Sequence, residues 1–270
     1  MRADDIQPSD PVRYGAYICL TIPAAERAAV AAADVTALAN GLGLGNEYGA
    51  SGGDPQRSVA YLRRVSTEPG QIDDRPLLDA EAVVHVAAPE AGPVAEFRAG
   101  LAGLLGPAAR PRTLAGVVQP FSYTSASMFN FAYGHRVLQG TGRVMPSVFL
   151  VPMRKTAEWW QKQWMERHTF FLPRYDNAGR MLSEGHALAA EAGISCLLRR
   201  TYKHPVLPAP DGEYDFISYF ECADDDAPVY RQVRDALRDV ARNPEWRYVQ
   251  EGPTWHGRRV ATWAELFSDG

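Results

Sequence analysis

One order of elements runs twice through this chain, and that repetition constrains the fold more than any other feature. Two segments of about 110 residues, separated by a polar, glycine-containing stretch from about Pro120 to Arg143, each read as β-α-β-β-α-β. In the first, Arg13 to Leu20 is a strand candidate, and the alanine-rich run from Ala24 to Asn40 is a helix stopped at Gly41. Strands follow at Val59 to Val65 and Ala80 to Ala87, then a helix at Pro93 to Leu105 and a strand at Thr113 to Val118. In the second, Ser147 to Met153 is a strand, and helical periodicity runs from Ala157 to Ala192 with a break near Pro173. Strands Ile194 to Tyr202 and Tyr214 to Glu221, a helix at Asp226 to Ala241 and a closing strand at Arg247 to Thr254 complete it. This is the ferredoxin-like order. It predicts an α+β fold in which two halves, 1–119 and 144–270, pack their sheets face to face as an α+β barrel within one chain, with 120–143 as the linker.

The bulk numbers fit such a chain and narrow its partners. At 270 residues, 46% hydrophobic and 22% charged, it can bury a large core without a metal or disulfide staple. A net charge of -4 and the lack of any Lys/Arg-rich run argue against nucleic acid or an anionic membrane as the main partner. The opening M-R-A-D-D-I-Q-P-S-D-P lacks the apolar centre of a signal peptide, and no stretch approaches the ~18 apolar residues of a membrane span, so the expected location is the cytoplasm. Cys19, Cys196 and Cys222 are widely separated in apolar runs and read as free thiols.

Chemistry concentrates in the second half. Among six histidines, His186 sits in E-G-H-A-L-A-A, where small neighbours let a flat macrocycle approach. A histidine that binds iron needs an acceptor on its other ring nitrogen. Glu221, which shares a strand face with Ile217 and Tyr219, is the candidate acceptor, and Lys155 is placed to keep it ionised. By itself, a lone helical histidine is most often a plain surface or core residue.

Four motifs change that reading. P-M-R-K-T-A-E-W-W (Pro152 to Trp160), the thirteen-residue interval from His186 to Arg199, Tyr202 three residues further on, and D-F-I-S-Y-F-E (Asp215 to Glu221) resemble, in order, the signature segments of the chlorite dismutase family, which also contains the coproheme decarboxylases. Q-P-F-S-Y-T (Gln119 to Thr124) is a weaker fifth match, to a segment that contacts haem propionates. The resemblance covers about 100 residues and implies a dimeric α+β barrel binding haem b, with the linker contributing to its pocket. It makes His186 the iron ligand with Glu221 and Lys155 behind it, Trp159 and Trp160 walls of the haem site, and Ser122, Tyr123 and Thr124 propionate contacts. Arg199 becomes the distal residue whose planar fork suits a small oxyanion. Arg200 competes for that role, because adjacent strand residues point to opposite faces. His168 is a rival iron ligand, and a Cys222 thiolate a more distant one. The implied partners are a small oxyanion or peroxide-type substrate and further copies of the chain, as a homopentamer.

The match has departures. The decarboxylase branch requires a tyrosine immediately before P-M-x-K; here the residue is Val151, which has no phenol. The 26-residue interval from Trp160 to His186 is longer than in chlorite-decomposing relatives and holds W-M-E-R-H-T-F-F-L-P-R-Y-D. Three readings follow: conversion of chlorite to chloride and dioxygen, a peroxidase-like or N-O bond-transforming haem reaction on an organic substrate, and a non-catalytic haem-binding or scaffold protein.

Overall fold

A computed structural model describes residues 13–46, 57–106, 111–118, 145–193 and 196–268 of the chain. Its strands are β1 (Arg13–Leu20), β2 (Gly45–Asn46), β3 (Ser58–Glu68), β4 (Ala82–Ala88), β5 (Arg112–Val118), β6 (Ser147–Lys155), β7 (Arg174–Tyr175), β8 (Met181–Ser183), β9 (Leu198–Lys203), β10 (Phe216–Cys222), β11 (Val249–Glu251) and β12 (Thr254–Val260). Eight of them form one antiparallel sheet in the order β10-β9-β5-β1-β4-β3-β12-β6, and pairing of β6 with β10 closes it into a barrel. The first- and second-half strands meet at two seams. At one, β12 and β3 pair from Thr254↔Glu68 to Val260↔Tyr61; at the other, β5 and β9 pair at Val117↔Lys203 among the described residues.

Closure gives every strand an inner and an outer row. Tyr17, Leu62, Leu150, Ile217, Tyr219 and Trp255 fill the barrel interior, each at most 2% exposed. The outer row of β1, β3 and β4 is covered by α1 (Arg27–Ala31), α2 (Val35–Gly41) and α4 (Ala91–Leu105); α3 (Arg75–Leu78) is a single turn beside the rim. On the second half, α5 (Ala157–Gln161), α6 (Trp164–Thr169), α7 (Gly185–Ala189) and α8 (Ala227–Arg238) follow in order. The apolar side of α8, with Tyr230, Val233 and Leu237, packs on Phe149 and Phe220 of the sheet.

Three departures from the sequence expectation have local causes. The helix expected from Ala24 to Asn40 is interrupted, because the Asp34 side chain accepts from Ala37 N at 2.9 Å and caps a new start. The periodicity from Ala157 to Ala192 does not make one helix. After Pro173 the chain forms the hairpin β7–β8, where Asp176 accepts from the Ala178 and Arg180 amides at 2.8 and 2.9 Å and Gly179 takes φ +77°. The closing strand is β12 rather than Arg247 to Thr254, since Pro253 has no N–H to give a ladder and divides the segment.

Gly15 shows how tightly the interior is filled. A Cβ there would lie 2.3 Å from Tyr202 Cε1. The Tyr202 ring is held in place by a 2.9 Å hydrogen bond between its hydroxyl and His85 Nε2, while His85 stacks on Tyr17 with centroids 4.5 Å apart. Gly15→Ala should therefore lower the unfolding free energy by about 1–3 kcal/mol, read from urea denaturation; an unchanged midpoint would show that Tyr202 has room to yield.

Candidate functional site

The outer row of the second-half sheet forms a cleft floor. Cross-strand register aligns Arg199, Phe220 and Phe149, then Thr201, Ser218 and Val151, then Lys203, Phe216 and Met153. Residues of α8, Phe171, His186, Glu245 and Trp246 complete the walls. The cleft contains about 690 Å³ of empty space counted to its open mouth, of which about 50 Å³ admits the centre of a water molecule. Its side chains thus stand close together, and a large flat ligand enters by moving some of them.

His186 is placed by its neighbour. Gly185 has φ +68°, and a Cβ on it would lie 2.4 Å from the Leu172 carbonyl oxygen, so glycine is required there for backbone reasons. His186 N and Ala187 N donate to the Phe170 and Phe171 carbonyls at 3.0 and 3.2 Å, seating α7 on the long segment after Trp160. The imidazole is buried, with Nδ1 3.0 Å from Glu245 Oε2 and Nε2 3.0 Å from Arg199 Nη1. A guanidinium can only donate, so Nε2 is the acceptor and the ring proton lies on Nδ1, donated to Glu245. Glu245 Oε1 in turn accepts from Lys155 Nζ at 2.5 Å, and Lys155 lies 4.3 Å from the Trp159 ring.

This relay corrects one expectation. Glu221 does not stand behind His186: it points into the barrel with Ile217 and Tyr219, where Arg259 Nη2 donates to it. Its neighbours Phe216, Ser218 and Phe220 take the cleft side, as strand alternation demands. Glu245, in the turn Pro244–Tyr248, supplies the carboxylate instead. The sequence reading missed it; its signal was an acidic residue next to Trp246 in N-P-E-W-R-Y.

The other expected residues divide clearly. Lys155, His186 and Arg199 come together, and Arg199 rather than Arg200 faces the cleft. Trp159 and Trp160 stand behind its wall, Trp159 against Lys155 and Trp160 against Phe216 at 6.2 Å between centroids. Both indole N–H groups are buried without a hydrogen-bond partner among the described residues. His168 packs on Trp164 away from the cleft lining. Burial pushes the Cys222 thiol up to about 12, and Cys222 does not line the cleft. Ser122, Tyr123 and Thr124 lie outside the described residues.

Burial lowers the His186 pKa against the opposing pull of Glu245, and Arg199 and Lys155 lower it further, so the ring is neutral. Burial also disfavours the Glu245 carboxylate, but Lys155 and the His186 hydrogen bond outweigh that and hold its pKa well below the usual range. Burial lowers Lys155, with Glu245 resisting. A buried carboxylate stripped of its cation costs about 3–5 kcal/mol, so these three residues act as a unit.

Of three comparisons with known proteins, the one with solved structures bears on the fold. No protein-family model matches the chain, and no curated protein sequence does. Among solved structures, an arginine-to-lysine mutant of chlorite dismutase from Candidatus Nitrospira defluvii aligns with a TM-score of 0.66 at 19% identity, covering 98% of this chain and 97% of that one. The imidazole complex of the same enzyme aligns at 0.63 and 19% identity with the same coverage. A candidate chlorite dismutase, TA0507, aligns at 0.62 and 12%, covering 96% of this chain and 98% of that one. The chain thus has the fold of chlorite dismutase structures.

The protonation pattern sets a pH dependence. A histidine whose folded pKa is depressed contributes stability above its unfolded value of about 6.5, and that contribution is lost as pH falls below it, at up to about 1.4 kcal/mol per pH unit. The chain without added cofactor should therefore lose stability from pH 7 to pH 5. His168 and His256 are also lowered by burial and contribute in the same direction. His186→Gln should flatten part of this loss in urea titrations at each pH; a slope equal to that of the wild type would show that His186 takes up a proton in the folded chain.

Proposed function

We propose that the chain is a haem b oxidoreductase that converts chlorite to chloride and dioxygen. The observation that carries this reading is the His186 side chain: a buried, neutral imidazole with its proton committed to Glu245 and its Nε2 lone pair turned to the cleft. The residues fit the group chemically. An anionic acceptor strengthens imidazole as an iron ligand, the walls at Val151, Met153 and Phe216 suit a flat apolar ring, and the Trp159 and Trp160 indole N–H groups behind the wall have no hydrogen-bond partner among the described residues. When bound, haem supplies the redox chemistry of chlorite breakdown.

The chain's own residues do the rest. His186 would hold the iron, while Glu245 fixes the imidazole tautomer and Lys155 keeps Glu245 ionised. Arg199 donates to the Nε2 lone pair that an iron would use, so its guanidinium would have to leave Nε2 for His186 to bind one. Once displaced, its donors are available to hold a small anion and retain the intermediate oxyanion until turnover is complete. Val151 denies the site a phenol at that position and disfavours coproheme decarboxylation.

The order of strands in the sheet, β5-β1-β4-β3 and β9-β10-β6-β12, supports two ferredoxin-like halves facing each other. The reading extends to self-association as a homopentamer and to a cytoplasmic location; no helix among the described residues is long and apolar enough to cross a membrane.

A second reading keeps the haem and acts on an organic substrate with peroxide. It is favoured by Phe171, which brings the long segment after Trp160 into the cleft wall.

Titration with haem should give a Soret band and one haem per chain, and chlorite should then release dioxygen. Arg199→Ala should retain haem and lose about 10²–10³ in kcat, followed with an oxygen electrode. His186→Ala should lose the axial-ligand spectrum. Oxygen release unchanged in Arg199→Ala would remove its assigned role, and peroxide-dependent phenol oxidation without oxygen from chlorite would select the second reading.

A further inference from the structure

The long segment that seats His186 has a second side, and that side is apolar. Trp164, Met165, Leu172, Tyr175, Met181 and Leu182 are each between 37% and 64% exposed. All six fall within residues 164–182. Large side chains present about 150–250 Å² each when fully exposed, so at about half exposure the six offer about 450–750 Å². The largest apolar patch on a typical monomer is about 300–600 Å², and each partner in a standard interface contributes about 800 Å². The segment thus supplies much of the area that one side of a stable interface needs.

The hairpin β7–β8 leads to the same conclusion through its backbone. Among the described residues it is a sheet of its own, paired with no other strand. Tyr175 and Met181 are cross-strand partners, and Leu182 points to the opposite face because adjacent strand residues alternate. Both faces of this ribbon therefore carry exposed apolar side chains. A two-stranded ribbon is marginally stable in water by itself, and packing against another surface is what steadies it. The turn, which Asp176 and Gly179 set, does not require apolar residues at these positions.

Charge indicates what that other surface is. The whole chain carries a net charge of -4, yet residues 158–184 contain four acidic and four basic residues and sum to zero. Lys162 pairs with Glu166 at 2.9 Å and Arg180 with Asp176 at 2.8 Å, both within the segment. A partner selected by charge needs a field of one sign, which this segment does not offer. Two copies of one chain bring identical charges together, and an acidic chain does so at least cost across a neutral, internally paired surface.

We propose that residues 164–182 form an isologous contact between two copies of this chain, the apolar side of each segment lying on that of the other about a two-fold axis. This goes beyond the ring assembly proposed above: a two-fold contact joins single chains into dimers, or rings into pairs of rings. Because the inner side of the segment gives the Phe170 and Phe171 carbonyls to α7, pairing also steadies the seat of His186.

The number of chains per particle tests the contact, measured by light scattering on the size-exclusion peak of the full chain and of the double variant Tyr175→Ser, Leu182→Ser. Both positions are exposed, so the barrel and the cleft keep their packing. The wild type should contain an even number of chains and the variant half as many. Val65→Ser, at an exposed apolar position on β3, should keep the wild-type number. Amides of residues 174–183 should exchange hydrogen more slowly in the wild type than in the double variant. An odd number in the wild type, or equal numbers in wild type and double variant, overturns the proposal; equal numbers with slow exchange in both assign the cover to the chain's own residues. A mass that falls equally in Val65→Ser overturns it too, as non-specific adhesion. A wild-type count of two keeps this contact and removes the ring, whereas a count of five keeps the ring and removes this contact.

Discussion

In a closed antiparallel barrel, the two-residue alternation of a strand becomes a division between two environments, because the inner row has no access to the outer one. Much of the candidate site follows from that constraint. On β9, Arg199 and Thr201 face the cleft while Tyr202 reaches the interior. On β10, Phe216, Ser218 and Phe220 make the cleft floor, and Ile217, Tyr219 and Glu221 belong to the barrel. Two charged systems result, separated by the thickness of the sheet. Outside, Lys155, Glu245 and His186 form the relay; inside, Arg259 neutralises Glu221 and reaches the Tyr219 hydroxyl at 3.3 Å. Neither can borrow a partner from the other without shifting register and turning an entire strand face over.

Legibility in the sequence followed the range of the interactions. Strand and helix positions were largely readable because they depend on local periodicity, and the expected strand at Tyr214 to Glu221 differs from β10 by one or two residues at each end. The alternation along that strand was readable too, including the shared face of Glu221, Ile217 and Tyr219. Which face would line the cleft was not, because that depends on pairing with β6, whose residues are far away in the chain. Glu245 was invisible for the same reason: it lies 59 residues from His186, in a short turn whose periodicity carries no information about its target. Gly185 was read as making space for a macrocycle, whereas its backbone conformation and the nearby Leu172 carbonyl are what require it.

The long segment between Trp160 and His186 also acquires a definite place. It contributes Phe171 to the cleft and two backbone carbonyls to α7, so the helix bearing His186 is partly built on it. Beyond the cleft, the same segment presents Trp164, Met165, Tyr175, Met181 and Leu182 to solvent, each between 48% and 64% exposed. Its inner side therefore fixes the histidine while its outer side carries a large share of the exposed large apolar side chains among the described residues.

The placement of Arg199 has a mechanical consequence. The arginine is borne on β9, where the pair Phe220↔Arg199 ties it to β10, while His186 rides on α7, which is seated on the Phe170 and Phe171 carbonyls. The two partners of the 3.0 Å contact thus belong to different layers, one to the sheet and one to its cover. A small slide of α7 over the sheet would part them without breaking a single strand ladder.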